Sequence, residues 1–298
     1  MKILIYGLPK TGTTILFFKI QKAFQQKFLN EDIPTIFEPS YIRHSGEKQI
    51  LGKSTGHEVS VGRFLLTKAL VPVLKGPGLS FEDATTLNAD RTILIVRDPR
   101  DRWISGIFYR WFTKCEELPS EFAKIIKLAQ FKEENPSALP TYALRTMNQK
   151  ILAREAKRQH RIMRDFDKII RHARTSNWLI FKYEDLVEGN FSALNEYLGM
   201  TVSDGEVSES FSRVARSKKA DNWRQWFTEE DVDYLKPVFT PFLRDMGYNE
   251  EDWALCHPTT LDPKQGSEYL KSLAGERKKK YTIGAKKIIN RILGKNQP

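Results

Sequence analysis

The chain has 298 residues, 40% of them hydrophobic and 11% aromatic, which supports a sizeable core and excludes wholesale disorder. No apolar run reaches the roughly 18 residues a membrane span needs. A net charge of +11 admits nucleic acid, an anionic membrane or an anionic small molecule as partner, and two cysteines, Cys115 and Cys256, argue against a disulfide frame or a zinc site.

Met1 and Lys2 lead directly into an apolar run, Ile3 to Tyr6, that closes at Gly7 and reads as a buried strand. Because that strand runs straight into the motif described below, no cleaved leader is expected, and the expected location is cytoplasmic. Thr13 to Leu29 reads as a helix, with Ile15, Leu16, Ile20, Ala23 and Phe24 on one face. TIF (35–37) and QILGK (49–53) are short strand candidates, and 59–73 is expected to be a helix ending at Pro72. KGPGLS (75–80) is a turn-rich connection. RTILIV (91–96) is the second strong strand, and Pro99 sits where a following helix would start. A long, basic helical stretch covers 141–174, and NWLIF (177–181) is the third strong strand. Helices are expected at 191–198 and 231–243, and a polar, loop-like segment from about His257 to Ile283.

Strands alternating with helices predict an α/β fold: a single domain with a mostly parallel central sheet flanked by helices. The expected bounds are 1–255 for that domain and 256–298 for a C-terminal extension.

The first strand ends in Gly7-Leu8-Pro9-Lys10-Thr11-Gly12-Thr13-Thr14. Both glycines and the final threonine fit the phosphate-binding P-loop G-x-x-x-x-G-K-[ST], but Thr13 stands at the lysine position and Lys10 lies inside the loop. The anion-binding physics survives: Gly12 permits a tight turn, successive N–H groups and the helix N-terminus attract an anion, and Thr11, Thr13 and Thr14 carry hydroxyls. A cation three residues early meets a different side of the anion, within reach of the bridging oxygen of a diphosphate-like group.

PKTGTT (9–14) resembles the 5′-phosphosulfate loop of sulfotransferases that use 3′-phosphoadenosine 5′-phosphosulfate (PAPS). Many members carry an aromatic residue directly after it; here that residue is Ile15. Three further segments resemble the same family in the same order. In ILIVRDPRDRWISG, a strand ends in Arg97 and Ser105 follows eight residues on; the resemblance assigns both to the donor's 3′-phosphate, which an arginine fork suits. FKYEDL (181–186) implies Tyr183 near the adenine. VARSKKADNWRQWF (214–227) is similar to the loop R-K-G-x-x-G-x-W that closes over the 3′-phosphate. Arg216 matches its arginine, Ser217 and Lys218 replace the lysine and first glycine, and Asp221 replaces the second; Lys218 and Lys219 are the substitutes for the missing lysine. The resemblance spans about residues 2–248 and implies a P-loop-like nucleotide site, PAPS as co-substrate and PAP, 3′-phosphoadenosine 5′-phosphate, as product.

Sulfuryl transfer resembles phosphoryl transfer, with in-line attack and charge spread over equatorial oxygens. Lys10 is the candidate for leaving-group stabilisation, and no metal is expected. Two residues compete as general base: Glu38 in an FEP segment similar to that of carbohydrate sulfotransferases, and His57, four residues after Lys53. Glu58 is a third option. The FEP segment and the tryptophans at 103, 111, 223 and 226 lean toward a sugar or glycolipid hydroxyl as acceptor. The tail places Ile283, Ile288, Ile289, Ile292 and Leu293 beside Lys286, Lys287, Arg291 and Lys295; such a basic amphipathic segment can lie on an anionic membrane as a peripheral contact or dock on its own domain. Two alternatives stay open: a P-loop kinase or NTPase, disfavoured by Thr13 and by a second strand that ends in Arg97 before Asp98, and a non-enzymatic nucleotide or polyanion binder. On the main reading, nucleic acid is not a partner.

Overall fold

The computed structural model describes residues 1–46, 48–74, 76–146, 148–203, 216–217 and 219–277. Its strands are β1 (Lys2–Gly7), β2 (Thr35–Phe37), β3 (Tyr41–Ser45), β4 (Lys48–Gly52), β5 (Glu58–Ser60), β6 (Leu65–Leu70), β7 (Arg91–Val96) and β8 (Trp178–Lys182). Its helices are α1 (Thr13–Lys27), α2 (Phe81–Thr86), α3 (Pro99–Tyr109), α4 (Trp111–Glu117), α5 (Pro119–Glu134), α6 (Gln149–Thr175), α7 (Tyr183–Glu188), α8 (Ser192–Leu198), α9 (Trp223–Trp226), α10 (Glu229–Leu243) and α11 (267–277).

The fold is α/β. Five strands form one parallel sheet in the order β2-β6-β1-β7-β8, with helices on both faces. Side-chain alternation fixes the layers. Ile3, Ile5, Leu66, Ile93, Ile95 and Phe181 pack with the Ile15, Leu16, Ile20 and Phe24 face of α1. Leu4, Tyr6, Leu65, Ala69, Leu94 and Val96 point the other way, into a larger core shared with α3, α6 and α10. β3, β4 and β5 form a separate antiparallel sheet that the sequence patterning does not reveal as a unit.

Two expectations are corrected. Residues 59–73 are not a helix: they hold the end of β5 and all of β6, an interior strand between β2 and β1. A strand buried on both faces is a continuous apolar run, and Phe64, Leu65, Leu66, Ala69, Leu70, Val71 and Val73 also fit helical spacing. The segment after His257 is not loop-like throughout. Residues 267–277 form α11, whose Tyr269, Leu270 and Leu273 belong to the main core together with Leu261. Segment 261–267 is pinned to α5: Leu261 N–H donates to the Glu133 carbonyl (2.8 Å) and the Ser267 hydroxyl to the Glu133 carboxylate (2.8 Å). The packing of 261–277 therefore joins the expected extension to the domain. The basic amphipathic segment itself lies outside the described residues.

The long basic helix begins later than expected. A 3-10 turn occupies Thr141–Leu144, and α6 starts at Gln149 because Asn148 caps it, accepting from the N–H groups of Lys150 (3.0 Å) and Ile151 (3.3 Å). No helix among the described residues is long and apolar enough to cross a membrane.

Candidate functional site

All five parallel strands deliver residues to one cavity at their carboxyl ends, where open α/β sheets bind ligands. Glu38 follows β2, Leu70 ends β6, Pro9, Lys10 and Gly12 follow β1, Arg97 follows β7 and Tyr183 follows β8; Arg216 and Ser217 close the cavity from the C-terminal half.

Within the loop, Thr11 turns inward: its hydroxyl (2.8 Å) and N–H (3.3 Å) both donate to the Leu8 carbonyl. The Thr11 hydroxyl thus holds the turn, while Thr13 and Thr14 line the cavity. Lys10 and Gly12 have left-handed backbone, φ 73° and 91°. Gly12 is required twice over, because a Cβ there would meet Tyr183 Cδ2 at 2.5 Å. Gly12 also heads α1, whose first turn has no side-chain cap, so its N–H groups face the loop end as anion donors.

Lys10 is held across the cavity wall. Its Nζ sits 3.6 Å from the centroid of the Tyr109 ring, a cation–π contact, and its carbonyl accepts from Arg97 Nη1 at 3.2 Å. The Arg97 guanidinium lies over the Tyr183 ring at 4.0 Å. Arg216 packs between Phe108 and Trp226, 5.4 Å from each centroid, and donates from Nη1 to the Gln265 carbonyl at 2.9 Å. Arg97 and Arg216 are only 6% and 8% exposed, and among the described residues Arg97 Nε and Arg216 Nε and Nη2 have no hydrogen-bond partner. Two buried guanidinium groups beside one cavity suit an anionic ligand. Burial pushes the Arg216 guanidinium down to about 10, against the pull of Asp101.

Asp101 stands behind both arginines. It is fully buried, accepts from Trp223 N–H at 2.9 Å, and burial pushes its carboxyl up to about 7 despite Arg97 and Arg216. Its Oδ2 has no partner among the described residues. The loop after Arg216 is fixed by Asn222, whose Nδ2 donates to Ser217 Oγ (2.8 Å) and the Lys219 carbonyl (2.9 Å).

Of the two base candidates, the fold brings only Glu38 to the cavity. Its carboxylate pairs with Lys68, whose ammonium is buried on β6 and lies 4.1 Å from the Phe37 ring centroid. Burial lowers the Lys68 ammonium, partly offset by Glu38. His57 is exposed in the β4–β5 turn, and Glu58 is engaged by Tyr41 (2.7 Å) and Arg43 (2.6 Å) in the antiparallel sheet. Ser105 is buried on α3 and lines no part of this cavity; Lys219 is exposed and does not line it either, and Lys218 lies outside the described residues. The tryptophans at 103, 111, 223 and 226 are core residues, all buried, so their leaning toward a sugar is withdrawn.

Sequence reasoning missed Lys68, Tyr109 and Asp101. A lysine inside the apolar run LLTKAL was the available signal for the first, since a fully buried lysine is rarely left without a partner. Nothing local marks Tyr109, which meets Lys10 only through the packing of α3.

The enclosed volume is about 100 Å³. That is below the roughly 300 Å³ at which small-molecule pockets begin, and suits the anionic end of a ligand whose remainder extends outward. No family model matches the chain, and no curated protein matches it.

Proposed function

We propose that the chain is a PAPS-dependent sulfotransferase, moving a sulfuryl group to an acceptor hydroxyl. One observation carries the reading: Lys10, Arg97 and Arg216 line a single cavity over a helix N-terminus with no side-chain cap, and guanidinium N–H groups of both arginines are unmet among the described residues. Three cations beside an anion-binding loop suit a nucleotide carrying a second phosphate. Asp221 adds support: it adopts φ 53° at the position where the resembled loop has glycine, a conformation aspartate tolerates better than most residues.

On this reading each residue has a distinct task. Arg97 and Arg216 hold the 3′-phosphate, a charge present before and after reaction. Tyr183 offers its face beside the nucleoside. The N–H groups of Gly12 to Thr14 hold the 5′-phosphosulfate, and Lys10 meets the negative charge that grows on the phosphate as the S–O bond breaks. Glu38 takes the proton of the acceptor hydroxyl as its oxygen bonds to sulfur. The products are PAP and a sulfate ester.

Calorimetry tests the reading. PAP is expected to bind tightly without a divalent ion, and ATP–Mg weakly. A preference for ATP–Mg supports a kinase or NTPase instead, and binding of neither supports a polyanion binder.

A further inference from the structure

A second, larger cavity of about 450 Å³ opens on the other side of Lys10 and shares Pro9 and Lys10 with the first. That volume lies in the range of small-molecule pockets. Its walls are α3, α4 and α6, and its charge is one-sided. Lys10, Arg102, Arg110, Lys114, Arg145 and Arg158 line it, with Glu155 the single acidic residue among its described lining.

Glu155 is already committed. Its carboxylate takes Arg145 at 2.9 Å, Arg158 at 3.1 Å and the Gln159 amide at 2.7 Å. Burial alone would raise this carboxyl, but Arg145, the Gln159 amide and Arg158 bring it below the ordinary range, so it is a poor base. Among the described residues, Arg102, Arg110 and Lys114 form no ion pair with it. Arg102 is 8% exposed; it donates from Nη2 to Gln159 Oε1 at 3.0 Å. Among the described residues neither Arg102 Nε nor Arg145 Nε has a partner. Burial, then repulsion from other arginines, pushes the guanidinium groups of Arg102 and Arg110 down to about 10. Within the described residues Glu155 relieves the cost of holding these charges together only in part.

We propose that this cavity is the acceptor site and that the acceptor already carries an oxyanion substituent, sulfate or carboxylate, gripped by Arg102, Arg110 and Lys114. The word acceptor rests on the sulfuryl-transfer reading; the anion affinity of the cavity does not. Lys10 stands on the boundary, so a ligand anchored here by its charge presents a neighbouring hydroxyl toward the first cavity. A neutral alcohol would leave the excess cations unmet.

The test uses the full chain and three oligosaccharides of matched length: a sulfated malto-oligosaccharide, an oligogalacturonate and the neutral malto-oligosaccharide. Each is titrated with PAP saturating the first cavity, and again without PAP. The charged probes are expected to bind at least about tenfold more tightly than the neutral one, and the tighter of the two names the substituent. Arg110→Gln with Lys114→Gln should remove that advantage while PAP affinity stays within about twofold, which also reports folding. Lys124→Gln with Lys127→Gln, an equal loss of charge on the exposed face of α5, should change nothing. Equal binding of neutral and charged probes overturns the proposal, as does an equal loss in both double variants, which would mean general surface charge. Failure of PAP to bind wild type defeats the donor reading alone, since the probe series without PAP still decides the cavity.

Discussion

The ammonium of Lys68, buried inside the sheet, pairs with the carboxylate of Glu38, which sits past the end of edge strand β2 at the mouth of the first cavity. The Glu38 N–H returns a hydrogen bond to the Lys68 carbonyl at 2.6 Å, so backbone and side chain fix the same geometry. Glu38 also has left-handed backbone, φ 59°, a costly conformation for glutamate that this double tie over-determines.

Glu38→Gln should lower kcat by about 10² to 10³-fold with little change in PAP affinity. It should also cost roughly 1 kcal/mol of stability by leaving the buried Lys68 unpaired, a small figure because Glu38 is partly solvated. Lys68→Met removes the buried charge instead, and should leave stability unchanged or raised while kcat falls because Glu38 is no longer held. Steady-state kinetics and urea unfolding separate the two effects.

Lys10→Ala and Arg97→Ala should fail in different ways. If, as proposed, Lys10 acts on charge that develops, its loss should reduce kcat by about 10²-fold or more with PAP affinity nearly kept. If Arg97 acts on charge already present, its loss should weaken PAP by roughly 2–3 kcal/mol, read by calorimetry.

Much of this site was legible in the residues. The loop, Arg97, Tyr183, Arg216 and Glu38 each follow a strand or stand in a marked segment, and strand ends converge in a parallel sheet. The rest was hidden for physical reasons. β6 was invisible because burial on both faces erases the alternation that marks a strand, which left the lysine inside LLTKAL as the one signal for Lys68. Nothing in RDPRDRW separates Asp101 from its charged neighbours; only the fold brings the Trp223 N–H onto it. His57 stood near a lysine in sequence, but the β4–β5 turn carries it to the surface.

Gly12→Ala should cost about 1–3 kcal/mol and abolish PAP binding, because the left-handed backbone and the Tyr183 ring both oppose a methyl group. Gly12→Ala with Tyr183→Ala should recover part of the stability, by removing the clash but not the backbone strain; thermal unfolding of the two variants measures the difference.

Asp101 predicts a pH dependence. Its folded-state pKa, about 7, lies above the ordinary value of 3.8. Below pH 4 the carboxyl is protonated whether folded or unfolded and has no effect. Between pH 4 and 7 the folded state binds more protons, so stability falls as pH rises, and above 7 the loss is complete. Asp101→Asn, which keeps an oxygen for Trp223 N–H, should therefore gain on wild type by up to roughly 4 kcal/mol at pH 8 and by almost nothing at pH 4.

The most direct measurement is transfer itself: the purified chain, PAPS carrying radiolabelled sulfate, and the oligosaccharide acceptors. The account predicts label on a charged acceptor together with stoichiometric PAP, and a fall of at least about 10²-fold with Lys10→Ala. Label transfer that is undiminished in Lys10→Ala, or a wild-type chain that binds PAP tightly and transfers to no hydroxyl, would contradict it.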